Sequence, residues 1–175
     1  MKIAIVGNIC SGKTTLANTL SKRYNLQRIA FADSVKYYVK DIFNVEYKDR
    51  KLIQDFAEKM REIDQDIWVK KVEDKIKDKE DIVIDDLRFL NEYKMLKDNN
   101  FFIVKLKISK ETQIQRINQL YRENAKEHIE RLNHISESYI DSLKEDLLIT
   151  NEKQLKDFID YALAYMLKVK NNISS

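Results

Sequence analysis

The segment Gly7-Asn8-Ile9-Cys10-Ser11-Gly12-Lys13-Thr14 has the spacing Gly-x4-Gly-Lys-Ser/Thr, and those residue types in that order build a cradle for phosphate. Glycine lets the main chain wrap around phosphate oxygens with its N–H groups turned inward, and a helix starting at the lysine adds a positive dipole end. Lys13 is placed to reach the β- and γ-phosphates of ATP, and Thr14 to hold Mg²⁺ through its hydroxyl. Gly7, Asn8, Cys10, Ser11, Gly12 and, one residue beyond the motif, Thr15 complete the candidate ATP-binding set. The chain has two glycines and no proline. Both glycines fall in this octapeptide, where a side chain would obstruct the backbone.

A second constellation follows Ile82-Val83-Ile84, where the chain reads Asp85-Asp86-Leu87-Arg88. A carboxylate at the end of a strand beside a phosphate loop is a candidate partner of the metal. Successive strand residues face opposite sides, so Asp85 and Asp86 cannot both serve one ion unless the strand has ended. Asp86 is favoured and Asp85 stays open. Arg88, two residues on, carries a guanidinium suited to gripping phosphate bidentately, with Glu92 one helical turn further to orient it. Phosphoryl transfer to a phosphate needs no nucleophilic triad, because the acceptor is already an oxyanion. Alignment, charge neutralisation and exclusion of water suffice. An alcohol acceptor would need a carboxylate base, for which Asp33 is the one nominee.

These groups need a scaffold. Apolar runs at 2–6, 81–84, 101–108 and 146–149, with a weaker one at 26–30, read as buried strands. Helical spacing occupies 14–24, 34–43, 50–60, 65–77 and 90–98, and the stripe Leu155, Phe158, Ile159, Ala162, Leu163, Met166, Leu167 marks a last helix. Strands alternating with helices predict an α/β fold, a five-stranded parallel sheet flanked by helices, with ligands at the carboxyl ends of the strands. The length of 175 residues suits a single domain over 1–175. The charged stretch 109–133 reads as a helical lid, or as an exposed face on which Glu123, Glu127 and Glu130 pair with its cations. The 32 basic and 29 acidic residues are interspersed, giving +3, which predicts no nucleic-acid partner. No run is long and apolar enough for a bilayer, and a lone cysteine and the lack of a leader pattern predict a cytoplasmic protein without membrane association. A homodimer is admissible.

Phe31-Ala32-Asp33-Ser34-Val35-Lys36, Arg50-Lys51-Leu52-Ile53-Gln54-Asp55-Phe56, Asp66-Ile67-Trp68-Val69, Asp86-Leu87-Arg88-Phe89-Leu90-Asn91-Glu92 and His134-Ile135-Ser136-Glu137 follow one another in this order. With the phosphate loop, they resemble the phage-type deoxynucleoside monophosphate kinases, over Met1 to about Phe158. The resemblance implies a P-loop nucleoside monophosphate kinase fold that moves the γ-phosphate of ATP, with Mg²⁺, onto a deoxynucleoside monophosphate. It implies acceptor-binding helices at about 34–78, with Asp33, Lys36, Arg50, Gln54 and Arg88 on the acceptor, and a lid at about 109–133. Arg116, Arg122 and Arg131 would then join Lys13 and Arg88 at the transferring group, which of the three being open. Asn151 would meet adenine, and His134 and Glu137 would be hinge or structural groups. Asp33 also reads as a helix cap, Lys36 and Arg50 as solvated cations, and Trp68 as core. Competing readings are a kinase of another phosphorylated metabolite, of the phosphomevalonate or dephospho-coenzyme A type, and a non-catalytic nucleotide-binding regulator. A GTPase switch lacks both its Asp-x-x-Gly and its Asn-Lys-x-Asp segment.

Overall fold

Ile3, Ala4, Ile5 and Val6 have no polar side chain among them, so the strand they form must be covered on both faces. In the computed structural model they lie in β1 (Lys2–Gly7), the middle strand of five. The structure describes residues 1–45, 49–130, 135–150 and 164, the side chains of 50, 127, 130 and 135–138 excepted. The other strands are β2 (Gln27–Ile29), β3 (Ile82–Ile84), β4 (Phe102–Lys107) and β5 (Leu147–Thr150). All pair in parallel, in the order β2-β3-β1-β4-β5. The expected strand positions and the parallel five-stranded sheet are those observed.

Between the strands run α1 (Lys13–Tyr24), α2 (Phe31–Phe43), α3 (Arg50–Ile63), α4 (Ile67–Ile76), α5 (Leu90–Asp98), α6 (Lys110–Tyr121), a single 3₁₀ turn (Arg122–Asn124), α7 (Ala125–Glu130) and α8 (Ile135–Ser142). Asn25 and Asn44 end α1 and α2 in the left-handed conformation, which a short polar side chain tolerates. Asp49 and Ser109 start α3 and α6 by accepting from Leu52 N and Thr112 N. The helix proposed at 155–167 lies outside the described residues apart from Ala164.

Strand alternation divides the core. Ala4, Val6, Ile82, Ile84 and Ile103 pack on one face against Val72, Ile76, Met95 and Leu96. Ile3, Ile5, Val83, Val104 and Leu106 pack on the other against Leu16, Ala17 and Leu20. A third cluster, Val35, Val39, Ala57 and Trp68, joins α2, α3 and α4 beyond the sheet. Trp68 is a core residue whose indole N–H donates to Ala57 O at 3.1 Å. Among the described residues no helix is long and apolar enough to cross a membrane.

One boundary departs from its expected place. Spacing starts the second helix at residue 34, but α2 begins at Phe31 with Ala30 before it, a residue with no capping side chain. The cap comes from elsewhere in the chain. Asp86 accepts from Phe31 N at 3.0 Å and from Ala32 N at 2.9 Å, so a carboxylate at the end of β3 satisfies the first free amides of α2. Asp33 is therefore an exposed residue of the first turn and not the cap.

Candidate active site

β1 delivers the chain to Gly7 beside Leu106 of β4. Gly7 has φ 157°, and a Cβ there would lie 2.5 Å from Leu106 O and 2.8 Å from Ser11 Oγ. No side chain fits. Cys10 (φ 62°) and Gly12 (φ 101°) then bend the loop through left-handed conformations, and Ser11 N donates to Asn8 O at 3.2 Å. This brings the chain to the start of α1, whose first turn carries no acid and holds Lys13, Thr14 and Thr15. The Lys13 ammonium spans the loop, bonding Gly7 O and, at 2.8 Å, Asn8 O. Thr14 and Thr15 are exposed at the positive end of the α1 dipole.

α6 rests on the outer side of this loop. Gln113 Nε2 donates to Ile9 O and Arg116 Nη1 to Cys10 O, each at 3.2 Å. Of the three lid arginines, Arg116 is thus beside the loop. Arg122 is exposed where α6 ends, with φ 40°. Arg131, His134 and Asn151 lie outside the described residues, as does the side chain of Glu137. Gln113 was not singled out by the sequence; its only signal is its place one turn before Arg116.

β3 ends at Ile84, so strand alternation no longer governs the two acids, and they diverge. The buried Asp85 takes Arg28 bidentately, at 2.9 Å to Nε and 3.1 Å to Nη2. Asp86 turns to the start of α2. Burial pushes its carboxyl above the usual range, against the opposing pull of the Ala32 and Phe31 amides.

At the start of α5, Glu92 Oε2 accepts from Arg88 N at 2.9 Å and Phe89 N at 3.0 Å. It fixes Arg88 through the main chain. Burial pushes Glu92 up to about 7, opposed by those amides and by Arg61. Arg61, which the sequence reading passed over, comes from α3 and stacks 4.4 Å above the Phe89 ring. Asn91 Nδ2 ties α5 to the turn between α3 and α4, at 3.0 Å to Gln65 O and 2.8 Å to Asp66 Oδ1.

The acceptor candidates fall on two surfaces. Asp33 and Lys36 line a groove of about 780 Å³ between α2 and α4, shared with Tyr37, Tyr38, Lys71 and Lys75. Gln54 is on α3, its amide 3.3 Å from Glu58 Oε1, on the helix that carries Arg61. Arg50 opens that helix.

A family model described as AAA domain matches residues 3–141. The chain belongs to this family. No curated protein matches it in sequence. Among solved structures, a gluconokinase from Sinorhizobium meliloti 1021 superposes with a TM-score of 0.62 at 13% identity, covering 99% of this chain and 95% of its own. A dephospho-CoA kinase from Campylobacter jejuni gives 0.56 at 18%, covering 98% and 100%. Shikimate kinase from Aquifex aeolicus gives 0.52 at 21%, covering 100% and 99%. The likeness is one of fold: this AAA-family chain has, over its described residues, the P-loop kinase architecture.

Proposed function

We propose that the protein is a kinase transferring the γ-phosphate of ATP to a small phosphorylated acceptor, a deoxynucleoside monophosphate. The observation that carries this reading is the placement of two cationic centres at the carboxyl ends of adjacent strands. Lys13 and the start of α1 follow β1, and Arg88 follows β3.

The residues present suit ATP. A loop whose Gly7 admits no Cβ and whose helix begins without an acid is shaped for phosphate oxygens. They also suit Mg²⁺, which takes oxygen ligands and keeps several waters. Thr14 would hold it directly. Asp86 would do so through the lone pairs left after its two amide bonds, while Asp85 is engaged by Arg28. The ion, when bound, neutralises charge on the phosphates. This chain's own residues do the rest: Lys13 and the loop amides hold the donor phosphates, Arg88 holds the acceptor, and Arg116 lies beside the loop as a further cation. Gln54 and Arg50 on α3, with Asp33 and Lys36 on α2, supply the acceptor surfaces.

A purified sample given Mg-ATP and each common deoxynucleoside or ribonucleoside monophosphate tests this by ADP release, with Lys13→Ala as the blank. Stimulation by one or a few deoxynucleotides supports the reading, and silence across the panel overturns it. The second reading is a kinase of another small molecule. The exposed carboxylate of Asp33, in its groove, favours an alcohol acceptor of the kind named for the gluconokinase and shikimate kinase. Acceptor-stimulated ADP release by such an alcohol, lost in Asp33→Asn, would establish it.

A further inference from the structure

We propose that Gln113 is a positioning residue of the phosphate loop, holding the Ile9 carbonyl to α6 so that the peptides around the left-handed Cys10 keep the tilt that receives nucleotide phosphates. The inference rests on the reading of this loop as the ATP site and deepens it, without depending on which acceptor is used.

The carbonyls of the loop draw on different donors. Lys13 bonds Gly7 O and Asn8 O, Ser11 N donates to Asn8 O, and Leu16 N donates to Gly12 O. The two carbonyls at the bend are met from α6, where Gln113 Nε2 donates to Ile9 O and Arg116 Nη1 to Cys10 O. These oxygens belong to the two peptides that flank Cys10, whose φ of 62° is kept by a residue with a Cβ only where the surroundings impose it. Fixing both planes around one Cα fixes its φ and ψ. In a trans peptide the C=O and N–H point to opposite sides, so with Ile9 O drawn to α6 the Cys10 N–H is turned away from that helix. A phosphate cradle depends on this sense of tilt, because it works through inward amides and an inward carbonyl would repel the anion. The loop's own residues make the bend, and α6 sets the direction of its peptides.

Gln113 is built into this position. It is 7% exposed, and an amide is costly to bury without a partner. Its partner is a main-chain acceptor 104 residues earlier. Ile9 O can only accept, so the side chain must present its nitrogen. The start of α6 fixes where that nitrogen lies: Ser109 caps the helix by accepting from Thr112 N, and Gln113 N bonds Ser109 O at 2.9 Å. Arg116 and Ile117 follow three and four residues on, along the same face, and the buried Ile117 anchors it. Being neutral, Gln113 orients the loop without adding to the charge that Lys13 brings.

The test is calorimetric titration of Mg-ADP, and separately of Mg-pyrophosphate, into the full chain and into Gln113→Met, which keeps the length of the side chain and removes its donor. The variant is expected to bind both probes about tenfold more weakly, the worth of one hydrogen bond, with Tm lowered by no more than about 4 °C. Gln119→Met, at an exposed position of the same helix, is the control and should match wild type. Unchanged Mg-ADP affinity in Gln113→Met overturns the inference, as does an equal loss in the control. A loss for Mg-ADP with none for Mg-pyrophosphate also overturns it, since Gln113 would then act on the nucleoside and not on the loop. If Gln113→Met does not fold, Gln113→Asn, whose amide stops one methylene short of Ile9 O, decides by the same comparison. Gln113-dependent binding of both probes, in a protein that no deoxynucleotide stimulates to release ADP, would remove the deoxynucleotide reading and leave this one standing. Wild type that binds neither probe removes the inference together with the ATP site.

Discussion

The phosphate loop and the end of β3 stand on neighbouring strands, yet they are fixed by different means. At the loop the main chain itself sets the shape: a Cβ at Gly7 would meet Leu106 O, and Cys10 and Gly12 turn through positive φ. After β3, two carboxylates reach for donors on other segments, Asp85 for Arg28 and Asp86 for the start of α2, while Glu92 caps its own helix through the amides just before it. The first device is contained in eight consecutive residues. The second joins positions up to 57 residues apart and depends on acids whose charge responds to pH.

The sharpest way to separate the two is Lys13→Ala, which keeps the fold and removes the cation spanning the loop. It should lower kcat on the order of 10²- to 10³-fold, as loss of one transition-state donor does, with little change in Tm. A variant with near-normal ADP release would dissolve the distinction, since the loop would then not be the phosphate site.

For the carboxylate side, the variant is Glu92→Gln and the reading is Tm against pH. The folded pKa of Glu92, at about 7, is raised above the unfolded 4.5, so its contribution to stability is present below about pH 4.5 and is lost as pH rises through about 7. At about 1.4 kcal/mol per pH unit, the loss is roughly 3 kcal/mol for this nearly fully buried group. Glu92→Gln keeps an acceptor for the two amides and should flatten this part of the slope, leaving the portion that Asp86, raised in the same direction, contributes. Identical slopes in the two proteins would show that Glu92 does not titrate in this window.

Smaller effects sharpen the loop's side. Gly7→Ala forces a Cβ to 2.5 Å from a main-chain oxygen, and should cost roughly 1–3 kcal/mol in denaturant unfolding and weaken Mg-ATP binding together. Cys10→Gly relieves a left-handed non-glycine residue, and should leave stability unchanged or raise it by less than about 1 kcal/mol. A clear loss of stability there would mean that the thiol, not the backbone angle, is what the loop needs.

The same contrast explains what could be read from the chain. Strands β1 to β5 and the loop announce themselves through contiguous apolar runs and a fixed local spacing. The start of α2 does not, because its cap is Asp86, more than fifty residues away. Arg61 on a charged helix looks like any solvated cation until Phe89 is brought beneath it. Gln113 likewise gains meaning only when α6 meets the loop. Arg88 and Glu92 were legible as a pair, though through spacing alone their link would be side chain to side chain, and it runs instead through the Arg88 amide.

The bond from Asp86 to the start of α2 also bears on how such proteins can be recombined. A graft that replaces residues 31–76 with the corresponding helices of another protein severs no covalent logic, yet it inherits its first cap from the recipient at position 86. The exchangeable unit is discontinuous. Moved into a recipient without an acid at the end of its corresponding strand, the same helices would begin with bare amides.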